Sequence, residues 1–250
     1  MIIIIFFIAH WYISLFSQSF LQHRYASHRA FTMNKFWERF FYIFAYITQG
    51  SSYMSARAYG IMHRMHHAYT DTEKDPHSPK YFSNVFSLMW HTKKVYADIM
   101  DDRMEVEERF TKNLPDWASL DKWGQSIPNR LIFAGLYTGF YILFAEYWWM
   151  YALIPVHILM GPVHGSIINW FAHKYGRVNF KLNNTSRNFI PLDVLMLGEN
   201  YHNNHHKYPS SANFGVKWYE IDPLYYGMEV LSFLRIIKFR NKGKRIESEY

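Results

Sequence analysis

Gly198-Glu-Asn-Tyr-His202-Asn-Asn-His205-His206 sets three imidazoles at i, i+3 and i+4, the spacing that brings side chains onto one face of an α-helix. Three imidazoles on one face make half a metal site. The same spacing recurs at His63-Arg-Met-His66-His67, and a looser pair stands upstream in His23-Arg-Tyr-Ala-Ser-His28-Arg. His23 and His28, five residues apart, fall about 140° apart around an ideal α-helix, so they are expected to straddle the metals at a helix end rather than share a face. Asn169-Trp-Phe-Ala-His173 adds a ninth histidine and, by its i, i+4 spacing, places Asn169 on the same face, where it is suited to hold a metal-bound water. A single metal takes four to six ligands, so nine clustered histidines point to two metals.

The remaining composition limits the chemistry. There is no cysteine, which excludes a disulfide and a thiolate-held iron–sulfur cluster, so electron chemistry must rest on His, Asp or Glu metal sites and an outside donor. Half of the residues are apolar and 20% are aromatic, yet they are concentrated in blocks, which reads as a membrane enzyme rather than a uniform soluble core. Residues 1–21 carry no charged side chain and are long enough to span a hydrocarbon core; with no basic leading region and no small-x-small site, they read as a transmembrane helix, not a cleaved signal. Residues 36–54 are apolar but hold Glu38 and Arg39, which predicts an interfacial or half-buried helix. Residues 127–170 suit a transmembrane hairpin of two helices turning near Glu146, with Pro155, Gly161, Pro162 and Gly165 bending the returning limb.

These blocks predict an all-α integral membrane protein in one domain spanning residues 1–250, in which the helices carry a cytoplasmic helical cap with a histidine-rich di-metal site. Residues 22–126 would form one cytoplasmic segment and residues 171–250 the other. All 27 Lys and Arg lie in these two polar regions or at their edges and none in the hairpin turn, so both histidine-bearing segments are placed on the cytoplasmic side. The basic run Arg235–Arg245 suits anionic lipid or an acidic electron donor. The charged run Asp98–Arg109 reads as a solvated helix face, and His10, His77, His91, His157 and His164 read as solvated residues or as partners of the ligands.

With its three histidine boxes in this order and spacing, the chain resembles the integral-membrane fatty acyl desaturases, specifically the Δ9-type acyl-CoA branch. The likeness covers roughly residues 10 to 210, and the second box is followed by Asp75-Pro-His77. The resemblance implies that His23, His28, His63, His66, His67, His173, His202, His205 and His206 bind two irons, with Asn169 holding a water on one of them. It implies O2 as co-substrate and a cis double bond, at Δ9, in a saturated long-chain acyl group carried as acyl-CoA or acyl-lipid. It also implies electrons from a separate ferredoxin-like or cytochrome b5-like donor with its reductase. Membrane lipid is the expected surroundings, and nucleic acid is not an expected partner.

Three positions depart from the family pattern. One full-length apolar helix precedes the first box where two are usual, Tyr59 stands where Trp is common, and no His-Pro-Gly-Gly haem motif is present, so no fused cytochrome b5 domain is expected. Two other readings are open: a monooxygenase acting on an alkane or lipid through the same boxes, and a non-catalytic zinc-handling membrane protein. The first differs in its product. The second would call for ionisable residues along the spans, where this chain has little beyond His10, Glu146, His157 and His164.

Overall fold

Met1 is followed by a run of isoleucine and phenylalanine that forms helix α1 (Ile2–Ser17), and its outward side chains Ile2, Ile4, Ile5, Ile8 and Ile13 are exposed. The computed structural model describes residues 1–243, so Lys244 and Arg245 of the basic run lie outside the described residues. The helix does not stop at Ser17. It continues as a π-helix over Gln18–Ser27, and the joined segment of 26 residues is the one described helix long and apolar enough to cross a membrane.

A three-residue strand, β1 (Phe31–Met33), follows and pairs antiparallel with β2 (Ile237–Phe239), a small exception to an otherwise helical fold. Helix α2 (Lys35–Gln49) starts at Asn34, whose side chain accepts from the Trp37 N–H. It buries Phe41, Tyr42 and Ala45 while Phe36, Phe40, Ile43 and Ile47 remain exposed on its outer face, the arrangement expected for a half-buried interfacial helix. At Gly50, φ is +52° and a Cβ would stand 1.9 Å from the Tyr137 hydroxyl, so only glycine fits the turn.

Helix α3 (Ala56–Tyr69) is capped by Ser55 and packs along the π-helix. Helix α4 (Val85–Met100) then ends where the sequence predicts a continuing charged helix. Asp102 adopts a left-handed backbone (φ 51°), and Arg103 turns back to pair with Asp98 and Asp101, so Asp98–Arg109 is solvated but mostly not helical. The short helices α5 (Glu108–Thr111) and α6 (Ala118–Gln125) lead to α7 (Ile127–Phe144).

The hairpin differs from two straight helices. Helix α7 has 18 residues but carries Asn129 and Arg130 in its first turn. The returning limb is broken into a 3-10 turn (Trp148–Leu153), α8 (Ile154–Ile158), α9 (Met160–Asn169) and a second 3-10 turn (Phe171–His173). Its two halves bend by 71°, and they count as one further candidate span only if taken together. Pro162 is the cause: it has no N–H to give the Ile158 carbonyl. Ser51 Oγ donates to that carbonyl instead at 2.9 Å, and Gly161 N–H donates to Ser52 Oγ at 3.0 Å, so the freed groups at the break are satisfied by the neighbouring turn. After an extended loop, α10 (His202–Lys207) carries the last histidines, and α11 (Pro223–Phe233) packs its buried Leu224 and Met228 into the cluster that also holds Phe20, Phe31 and Tyr42.

Candidate metal centre

The nine histidines singled out from the sequence converge from four elements. The π-helix brings His23 and His28, α3 brings His63, His66 and His67, the 3-10 turn after α9 brings His173, and α10 brings His202, His205 and His206. Their Nε2 atoms face one another in two nests. In the first, His23 and His205 stand 3.1 Å apart, His28 and His63 2.8 Å, His63 and His67 3.0 Å, and His67 and His205 2.9 Å. In the second, His66 and His206 stand 3.2 Å apart, His173 and His202 2.9 Å, and His202 and His206 3.0 Å.

The expected division of the boxes is corrected here. Neither His-x-x-His-His run serves as half of one site: the i, i+4 pair His63 and His67 enters the first nest while His66 crosses to the second, and His202 and His206 enter the second while His205 crosses to the first. The placing of His23 and His28 on different faces is also corrected. A π-helix bonds i to i+5, the His28 N–H donates to the His23 carbonyl at 3.2 Å, and the two rings lie 5.0 Å apart in one nest.

The spacing fits metal ions. Two imidazole nitrogens about 2.1 Å from one ion and at right angles around it are about 3.0 Å apart. The observed separations, 2.8–3.2 Å, match that geometry in both nests. Burial and neighbouring imidazoles hold His63, His66, His202 and His205 well below the ordinary histidine value, so their rings are neutral and their lone pairs free for a cation. Neutral imidazole suits iron, zinc and copper, and the donor set by itself does not choose among them.

Carboxylates behind the rings set their orientation. Glu199 accepts from His23 Nδ1 at 2.5 Å, from Arg24 Nη2 at 3.1 Å and from Ser19 Oγ. Burial alone would raise the Glu199 carboxyl, but His23 and Arg24 beside it hold it at about 2. Arg24 is fully buried, reaches Asp222 at 2.9 Å and the Ala212 carbonyl at 2.6 Å, and lies over the Phe214 ring. Asp75 accepts from His66 Nδ1 at 2.9 Å and from the backbone N–H of Asp71 and His77, and burial raises its carboxyl above the ordinary range. His173 Nδ1 meets Thr185 Oγ1 at 3.0 Å, and Thr185 in turn donates to Asp71. Such partners fix which ring nitrogen carries the proton and leave Nε2 for the ion.

Four of the five isolated histidines are not solvated. His10, His77, His157 and His164 are buried, and only His91 is half exposed. His77 stacks on His66 with ring centroids 4.2 Å apart and groups with Asp75, while His10 and His157 stack on each other with Nδ1 atoms 2.6 Å apart. The sequence reading passed over Glu199, Asp71, Arg24 and Thr185. Glu199 lies inside the quoted third box and Arg24 beside the first-box His23, so their places were in view, but nothing near Thr185 marks it.

Beside the nests lies a cavity of about 820 Å³. His23, His63, His77, His202 and Asn169 are in its wall, with Leu15, Met62, Met89, Ile158 and Ile168 supplying apolar surface and Lys93 and Arg130 supplying charge. A mostly apolar space bordered by both imidazole nests can receive a hydrocarbon chain beside ions held there.

Residues 1–231 match the sequence profile of the fatty acid desaturase family. The chain belongs to that family. It is 33% identical over 222 residues to an sn-1 stearoyl-lipid 9-desaturase of Synechocystis sp., a match covering 86% of this chain and 64% of that protein. It is 31% identical over 222 residues to Delta-9 acyl-lipid desaturase 2 of Arabidopsis thaliana, covering 86% of this chain and 66% of that one. The chain thus spans about two thirds of the length of these relatives. The nine histidines lie within the part that matches the family.

Proposed function

We propose that this family member is an O2-dependent acyl desaturase that inserts a cis double bond, at Δ9, into a saturated long-chain acyl group carried as acyl-lipid or acyl-CoA. The observation that carries the reading is the pair of imidazole nests opening on an apolar cavity. The likeness to relatives named as Δ9 acyl-lipid desaturases supports the position and the carrier class.

In this reading His23, His28, His63, His67 and His205 hold one iron, and His66, His173, His202 and His206 the other. Asn169, which lines the same cavity, is assigned to hold a water on one of the ions. Two irons supply the oxidising power that an unactivated C–H bond demands, since such a bond gives acid–base catalysis no handle. The chain's own residues do the positioning. Glu199, Asp75 and Thr185 keep His23, His66 and His173 in the tautomer that presents Nε2. The apolar wall from Leu15 to Ile168 aligns adjacent methylenes beside the nests and excludes water, while Lys93 and Arg130 provide positive charge for an acyl head group. The protein would span the membrane more than once with the nests on the cytoplasmic face, and a separate ferredoxin-like or cytochrome b5-like carrier would deliver the electrons.

Gas chromatography–mass spectrometry of fatty acids, with double-bond location, from cells expressing the chain tests this against a His205→Ala control. New monounsaturated acids in the active strain alone are the expected result. Hydroxylated acids in their place would move the protein to the monooxygenases.

A further inference from the structure

Helix α10 is six residues long yet places ligands in both nests, and its flanking residue Tyr201 gives it no side-chain cap. Its first free N–H groups are capped from a separate loop instead. Asn188 Oδ1 accepts from the backbone N–H of Asn203 at 3.0 Å and of Asn204 at 3.3 Å. Asn188 is itself pinned by backbone pairing with Arg177 on one side and Tyr201 on the other. At about 100° per residue, Asn203 and Asn204 fall on the side of α10 opposite to His202, His205 and His206. Both asparagines are buried, and each amide is engaged at both ends. Asn203 Oδ1 accepts from the N–H of Asn179 at 2.9 Å and of Phe180 at 2.8 Å, and its Nδ2 donates to the Phe180 carbonyl at 3.0 Å. Asn204 Oδ1 accepts from Asn179 Nδ2 at 2.8 Å and Asn188 Nδ2 at 2.9 Å, while its Nδ2 donates to the Phe214 carbonyl at 2.9 Å and to Glu220 at 2.8 Å. Glu220, fully buried, also accepts from the backbone N–H groups of Val216 and Lys217, both at 3.0 Å.

A helix this short has little to stop it turning about its axis except what grips its far face. His205 and His206 point about 100° apart around α10, and that angle sends one ring to each nest. A turn of about 20° carries a ring nitrogen some 6 Å from the helix axis through about 2 Å, the length of a metal–nitrogen bond. Small rotations therefore matter to both nests at once. We propose that Asn188, Asn203, Asn204 and Glu220 are positioning residues that fix the rotation of α10 against α3, so that His205 enters the first nest while His202 and His206 enter the second. Because one helix serves both nests, loosening this clamp weakens both ions together, unlike the loss of a single ligand. The inference rests on the two-ion reading of the nests.

The test strips metal from the purified full-length chain in detergent and titrates it with Co2+, read by the visible absorption of the bound ion, alongside the melting temperature of the metal-free protein. Wild type takes up two Co2+. His205→Ala lowers chiefly the affinity for one ion and His202→Ala that for the other, whereas Asn204→Ala and Asn188→Ala each lower both affinities by about tenfold or more. Gly50→Ala, strained at φ +52° and outside both nests, is the control for lost stability: it lowers the melting temperature and leaves both affinities within about twofold of wild type. If Asn204→Ala does not fold, Asn188→Ala, which removes the two capping bonds, decides alone. With two Co2+ still bound by wild type, three results overturn the clamp by itself. The asparagine variants keep both affinities within about twofold of wild type, or lose only one of them as a single-ligand variant does, or lose both no more than Gly50→Ala does at an equal drop in melting temperature. A wild type that takes up fewer than two Co2+ overturns the two-ion reading, and the clamp with it.

Discussion

Replacing Glu199 by glutamine tests whether the carboxylate behind His23 controls the first nest. One carboxylate oxygen accepts from His23 Nδ1, and the other from Arg24 and Ser19. A glutamine amide has one oxygen to offer, so its NH2 must point either at His23 or at Arg24. Pointing at His23, it drives the ring proton from Nδ1 to Nε2 and removes the lone pair that faces His205 at 3.1 Å. Pointing at Arg24, it sets donor against donor beside a fully buried guanidinium. Arg24 keeps Asp222 at 2.9 Å, so the loss of stability stays near the lower end of the roughly 3–5 kcal/mol seen when a buried pair is broken. Loss of the tautomer lock costs about 10- to 100-fold in metal affinity. The assay is iron retained per chain across a chelator titration, with Glu199→Asp as the charge-preserving control. A Glu199→Gln curve superimposed on wild type would refute the reasoning.

Other outcomes follow from the same geometry. His66→Ala and His205→Ala each remove one Nε2 from a nest and should abolish desaturation and lower bound iron, whereas His91→Ala, half exposed and outside both nests, should leave iron content and product near wild type. Removing the metal leaves facing lone pairs uncompensated, so chelation should lower the melting temperature and added Fe2+ restore it; an ion at a thousand times its Kd adds about 4 kcal/mol. Gly198→Ala should destabilise by more than ~1 kcal/mol in chemical denaturation, because Gly198 has φ +96° and a Cβ would stand 2.4 Å from Asp222 Oδ1. Ser51→Ala should weaken the bend in the returning limb, since the Ile158 carbonyl loses its donor; slower desaturation with unchanged iron content would show it.

Much of the centre was legible because helical spacing is local. His63, His66, His67, His202, His205 and His206 could be grouped from their numbers alone, whereas the α-helical face expected to join Asn169 to His173 is broken, because the helix ends at Asn169 and His173 follows in a 3-10 turn. Their sorting between nests was not legible, because an i, i+3, i+4 face is wide enough to reach two ions and only the meeting of α3 with α10 decides which histidine crosses. His23 and His28 were misplaced for a different reason. Counting residues on an α-helix presumes the α period, and the switch to i+5 bonding at Gln18 has no signature in side-chain composition. Thr185 and Asp71 support His173 across a long stretch of chain, a contact made by tertiary structure alone. The bend near Pro162 was expected from residue type, but the serines that satisfy it lie far away in sequence. His10, His77, His157 and His164 were read as solvated or as partners of the ligands because each stands apart from the clusters; all four are buried, and His77 stacks on His66 as a partner would.

The most direct test of the central claim, that two nests hold two irons, is the iron content of the protein purified without chelator, measured by plasma mass spectrometry against amino-acid analysis. The account predicts two irons per chain in the wild type and fewer in His66→Ala and in His205→Ala, which lie in different nests. A wild-type chain that holds one iron, or zinc in place of iron, would contradict it.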